Sequence, residues 1–218
     1  MTTTATTPAD TQVRASHYVL AVLALATGGF AIGTTEFVTM GLLPQIAAGV
    51  DVSIPTGGHV ISAYALGVVI GAPVIAFFGA RLPRRGLLVA LMVAFAAGNA
   101  ASALATSFGL LTLARVASGI PHGAYFGVAS LVAASLAPPD RKGRAVASVM
   151  LGLSVANVVG VPAATWLGQQ LGWRSAFWAV TALALLTVAL VLAFVPSLPG
   201  DPDATGRREL TCNLKQQR

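Results

Sequence analysis

Six apolar runs, each long enough to cross a bilayer and none carrying more than one charged residue, constrain this chain more than any other feature. They cover residues 18–40, 60–78, 87–105, 108–136, 145–168 and 175–195. About 20 apolar residues in a helix span a hydrocarbon layer of about 30 Å. In lipid the backbone must satisfy its hydrogen bonds within the segment, so each run is expected to be a helix. Composition agrees: 56% of residues are hydrophobic and 9% charged, with a mean hydropathy of +0.79, whereas about 25% of residues in a soluble domain are charged. The expectation is an all-α integral membrane protein with six transmembrane helices. Ala24, Leu25 and Ala26 mimic a signal-peptidase site, but the apolar run continues well past them, so the first span stays attached.

The segments outside the spans are polar or rich in turn residues. Residues 1–17 read as a disordered cytoplasmic leader, 41–58 as a turn-rich loop containing Pro44 and Pro55, and 197–218 as a cytoplasmic tail. The net charge of +6 does not imply a nucleic-acid partner, because the basic residues lie almost entirely between apolar runs. If the spans alternate, 11 of the 13 lysines and arginines fall on one side, among them Arg81, Arg84, Arg85, Arg141, Lys142 and Arg144. The positive-inside rule then places both termini in the cytoplasm of a multi-pass cell-membrane protein. Trp166, Trp173 and Trp178 fall around the opposite, outer interface, as an aromatic belt would. The single cysteine, Cys212, excludes an intrachain disulfide. No cofactor or metal is expected.

Small residues follow a fourth-position rhythm. In the fifth span Gly152, Ala156, Gly160, Ala164 and Gly168 share one helix face, and Pro162 removes a backbone donor from the same span. Ala63, Gly67 and Gly71 repeat the rhythm in the second span, and Gly119, Gly123 and Gly127 in the fourth. Such faces let helix backbones approach closely. The first, second, fourth and fifth spans are therefore expected to line a cavity, and the third and sixth, poorest in glycine, to face lipid.

Two ionisable residues sit within spans. Arg115 opens the fourth-span row and is expected to point into the bundle; Glu36 lies seven residues after Gly29 and is expected to face inward too. Counting at 1.5 Å per residue puts them about 6 Å and about 10 Å below the same end of the bundle, so they are expected to meet. A static ion pair holding two helices in register is the plainer alternative. His122 and Asn157 suit either an interhelical hydrogen bond or a ligand contact, and Tyr64, Tyr125 and Phe126 suit either a cavity wall or packing.

Ordered motifs carry a resemblance. Leu113, Ala114 and Arg115 followed by Gly119 and Gly123, with Gly152 through Gly160 and Pro162 to Gly168, resemble the fourth- and fifth-span motifs of proton-coupled drug efflux carriers of the major facilitator superfamily. The runs GTTEFVTMGLLPQIA (33–47), SAYALGVVIGAP (62–73), SGIPHGAYFGV (118–128) and LGWRSAFW (171–178) resemble its arabinose efflux permeases and chloramphenicol-resistance carriers. The loop after the second span keeps Gly79, Arg84 and Gly86 of the family pattern, but Pro83 stands where aspartate is usual, and Leu87 and Leu88 where basic residues are usual.

The resemblance implies the N-terminal half of a fold built from 3+3 inverted repeats, and export of a small organic molecule, a sugar or a drug such as an amphenicol, against proton entry by alternating access. Glu36 and Arg115 would couple protons; Tyr64, His122, Tyr125, Phe126 and Asn157 would be candidates for the substrate cavity. The expected partners are that substrate, protons and the lipid bilayer, together with a missing C-terminal half or a second copy of the chain. Residues 206–210 resemble the start of the linker between halves, so a truncated product is expected, with a non-transporting fragment or a homodimerising half-carrier as alternatives. An intramembrane serine protease is a remote rival, since Ser118 and His122 lie four apart on one helix; an enzyme is not expected, because nucleophile and base usually converge from different elements.

Overall fold

The computed structural model describes residues 8–200, with side chains from residue 17 onward. Six candidate membrane helices are found among them, where the apolar runs fall. The first span is α1 (Pro8–Gly41), followed by two short helices, α2 (Leu43–Gly49) and α3 (Ile54–Gly57). The second, third and fourth spans are α4 (His59–Gly79), α5 (Arg84–Leu104) and α6 (Phe108–Leu136). The fifth is broken into α7 (Lys142–Val155), a π-helical turn at Ala156–Gly160 and α8 (Val161–Leu171), and the sixth is α9 (Arg174–Phe194).

Three boundaries differ from expectation. Helix α1 begins at Pro8, inside the segment read as a leader, where a proline's missing N–H costs no helical bond. The expected loop 41–58 is largely helical because Pro44 and Pro55 start helices rather than break them, and Ser53 caps α3 by accepting from the Thr56 N–H. In the fifth span Pro162 sits at the start of α8, directly after the π turn. The wider turn absorbs the hydrogen bond that proline cannot make. The rest of the leader, the tail from residue 201, Cys212 and the linker-like 206–210 lie outside the described residues.

Packing follows the glycine rows. A Cβ on Gly152 would stand 2.1 Å from the Ala26 carbonyl oxygen, so α1 and the fifth span touch backbone to backbone. All five members of the fifth-span row are buried. The second and fourth spans make the equivalent contact: Cβ atoms on Gly67 and Gly119 would stand 2.2 Å from the carbonyls of Val116 and Tyr64. Spans one and five pair as spans four and two do, spans one and six as spans four and three do, and the third packs on the sixth. Exchanging spans one to three with four to six leaves this pairing unchanged, as an inverted repeat requires.

The third span keeps an exposed stripe that includes Val93 and Leu104, but its other face is more deeply packed than its lack of glycine suggested. More of it is buried (56%) than of the second (28%) or the fifth (28%). Leu88, Met92 and Phe95 fill the main core with Leu25 and Tyr125. Large side chains, not glycines, supply buried area; a smooth face gives close approach while the remainder of its helix stays exposed.

The two ends of the bundle are closed differently. At one end Trp173 fills a second core with Leu42, Ile46 and Phe177, and Arg174 donates to the Ala105 carbonyl at 2.8 Å. Trp173 is thus only 5% exposed, a packing residue rather than a member of an exposed belt, whereas Trp166 and Trp178 are exposed. At the other end the start of α5 is tied to the last turn of α9 and the chain beyond it, through the Arg85 guanidinium to the Leu192 carbonyl and the Arg84 N–H to the Leu198 carbonyl (2.9 Å). Leu87 and Leu88, standing where the family pattern is basic, are buried in the core. Pro83 is the N-cap residue of α5.

Candidate transport site

Helical periodicity puts Leu111, Arg115, Ser118, Gly119 and His122 of α6 on one side of that helix. Arg115 is fully buried and points into the bundle, as expected. Its Nη1 donates to the Thr35 hydroxyl at 3.3 Å and its Nη2 to the Thr35 carbonyl at 3.4 Å. The guanidinium lies over the Tyr64 ring, 4.2 Å from the centroid, with the Phe177 ring 5.5 Å away. Among the described residues its Nε finds no hydrogen-bond partner.

The cluster extends to both sides of the arginine. The Thr35 hydroxyl donates to Asn99 Oδ1 at 2.6 Å, and Asn99 Nδ2 donates to the Phe95 carbonyl. Tyr64 Oη and His122 Nδ1 are hydrogen-bonded at 3.0 Å, and the His122 ring meets Phe126 edge-on at 5.4 Å. Residues from the first four spans and from the sixth thus converge on one guanidinium. Thr35, Asn99 and Phe177 are not candidate site residues on the sequence alone, each being a common residue in an apolar run. A rule that pairs every buried polar group would have singled out Asn99.

The expected contact between Glu36 and Arg115 is not made. Among the described residues the ion pair within 4.0 Å is Asp140–Arg141, at 3.5 Å. Successive helical residues point about 100° apart, so a helix that presents Thr35 to Arg115 turns Glu36 aside. Glu36 remains half-buried one residue away, and the two charges still act on each other through space. A fully buried guanidinium held by neutral groups only, with two long bonds and one idle nitrogen, is poorly compensated. The aromatic faces offset part of that cost, about 2 kcal/mol for a well-desolvated contact. The arrangement suits an anion arriving beside it.

The other candidates divide. Tyr64, His122 and Phe126 belong to this cluster. Tyr125 does not: it is fully buried, donates to the Leu25 carbonyl at 2.9 Å and fills the space that Gly28 leaves on α1. Asn157 is exposed in the π turn and donates to the Leu153 carbonyl of its own helix at 3.0 Å. Ser118 donates to the Arg115 carbonyl while His122 pairs with Tyr64, so serine and histidine do not meet as a hydrolase pair would. Of the motif glycines, Gly123 approaches Ala72, Gly160 approaches Thr34 and Phe30, Gly168 approaches Leu42, and Gly79 approaches Leu87. A Cβ on Gly86 or Gly127 would meet nothing within 4 Å.

The sequence profile of the Major Facilitator Superfamily matches residues 25–216. The chain belongs to that superfamily. Within it, the chain is 45% identical over 196 residues to the inner membrane transport protein YdhP of Escherichia coli K12, covering 90% of this chain and 50% of that protein. It is 39% identical over 196 residues to the putative transporter AraJ of the same strain (90% and 48% covered). With a chloramphenicol resistance protein of Streptomyces lividans it shares 40% over 190 residues (87% and 48% covered). The fold is similar to that of the major facilitator proton:xylose symporter XylE, with a TM-score of 0.75 at 19% identity, covering 94% of this chain and 48% of the symporter. The human organic anion transporter MFSD10 gives 0.68 at 19% identity (88% and 52% covered). The chain spans about half the length of the curated relatives it matches. It is a multi-pass membrane protein with the half-fold of a major facilitator transporter.

Proposed function

We propose that this chain forms the N-terminal half of a carrier that exports a small organic molecule in exchange for protons, with Glu36 and Arg115 as the coupling pair. The observation that carries this reading is the buried, under-compensated Arg115 one residue away from the helical position of a half-buried carboxylate. When the bundle rocks, a shift of α1 combined with a swing of the long Arg115 side chain brings Glu36 rather than Thr35 to the guanidinium, since the two residues point about 100° apart. The carboxylate is then charged while paired and protonated while apart. The chloramphenicol resistance relative supports export of a drug-like molecule, and the proton:xylose symporter supports the use of protons. Tyr64, His122 and Phe126 offer a hydroxyl, an imidazole and an aromatic face to such a substrate; Asn157 would contribute from the fifth span.

The second half is part of the proposal. Val69 and Phe78 of the second span and Val158 of the fifth are 70%, 72% and 76% exposed, which suits a matching bundle on that side. Both termini lie at the cytoplasmic face in this reading, with the Arg81 end of the bundle inside. The test is uphill export in proteoliposomes by this chain alone and by this chain joined to a matching C-terminal half. The joined carrier is expected to export when the outside is acidified, and the chain alone to show no proton flux. Robust export by the chain alone, with cross-linked pairs, would replace the two-half carrier with a homodimer; no proton dependence in either would refute the coupling.

A further inference from the structure

A groove of about 820 Å³ opens at the Arg81 end of the bundle between the fifth and sixth spans, with α1 as its floor. It exists because α9 packs on α8 near their shared turn while α7 leans on α1 and α6, so the two spans part toward the other end. None of the residues around Arg115 lines it, so it is separate from the candidate transport site. Along α1 it runs from Tyr18 to Phe30, about 18 Å at 1.5 Å per residue, close to the depth of one leaflet of a bilayer about 30 Å thick. Val19, Leu23 and Leu151 present their side chains to it and are each about half exposed.

The mouth is as polar as the walls are apolar. Arg141 and Arg144 both reach it from the start of the fifth span, and both are exposed. Arg141 shares its Nε with Asp140 at 3.5 Å, whereas Arg144 makes no ion pair within the described residues. An apolar helix laid in the groove would leave Arg144 without a counter-charge and Arg141 with Asp140 alone. A zwitterionic lipid brings a phosphate but no net negative charge, so it offsets the two guanidiniums less than an anionic one.

We propose that the groove is a binding site for one anionic phospholipid, an acyl chain lying along α1 and the phosphate between Arg141 and Arg144. The lipid bridges the first span and the loop ahead of the fifth, beside the Gly152 contact that joins them. Native mass spectrometry of the purified 218-residue chain, offered phosphatidylglycerol, phosphatidylcholine or inorganic phosphate, reads this directly. Phosphatidylglycerol is expected to remain bound in preference to phosphatidylcholine, and inorganic phosphate not to compete. Arg144→Gln is expected to reduce that preference about fivefold, and Arg81→Gln, a charge lost elsewhere at the same end, to leave it intact. Leu151→Trp, which fills the groove, is expected to lower retention of both lipids while elution on size exclusion stays unchanged. Equal retention of the two lipids, equal effects of Arg81→Gln and Arg144→Gln, or displacement by inorganic phosphate would each overturn the site.

Discussion

Arg115 decides what the interior can do. It is held by a hydroxyl, a carbonyl and two aromatic rings rather than by a carboxylate, so its planar shape matters as much as its charge. A lysine keeps the charge but cannot lie flat over Tyr64 or span both Thr35 oxygens. In a complete carrier Arg115→Lys is expected to insert and elute as a folded protein yet lose export by about tenfold or more, measured as initial rate against yield. Wild-type rates would reduce Arg115 to a simple point charge. That this residue is buried was legible from the sequence, since an arginine on a glycine face has no path to the headgroups. That Thr35 and not Glu36 holds it was not, because a pattern of face membership does not resolve two neighbours only 100° apart.

At the scale of helices, the glycine rows mark where backbones meet, but they do so unequally. Gly152 and Gly127 look alike in the sequence, each the member of a fourth-position row. In the structure a Cβ at Gly152 would strike the Ala26 carbonyl at 2.1 Å, while one at Gly127 would meet nothing within 4 Å. Gly152→Ala is therefore expected to cost about 3 kcal/mol or more by forcing α1 from the fifth span, seen as a lowered midpoint of thermal unfolding in detergent. Gly127→Ala is expected to be neutral or slightly stabilising, by up to about 1 kcal/mol from helix propensity. Equal effects would mean that the rows do not set the packing. The existence of six spans was legible because length and apolarity dictate it, whereas their ends, such as the start of α1 at Pro8, were less so. The packed face of the third span was not, since the glycine criterion ignores the area that Leu88, Met92 and Phe95 bring to the core.

The described residues form a six-span bundle of the Major Facilitator Superfamily in which two three-helix sets with matching contacts pack about the buried Arg115. The small-residue rows show which helix faces meet closely but not that span one pairs with five and span four with two, and the joining of the third and sixth spans leaves no such mark because it rests on irregular large side chains. Exposed apolar faces on the second and fifth spans leave room for a partner bundle, and the proposed proton exchange belongs to that larger assembly. The proposal turns on Glu36 alternating with Thr35 opposite Arg115. A pH-jump export assay on the two-half carrier carrying Glu36→Gln, run beside a binding assay and size exclusion, tests it most directly. The account predicts a folded protein that still binds substrate but no longer exports when the outside is acidified. A well-folded Glu36→Gln carrier that still exports uphill would contradict it.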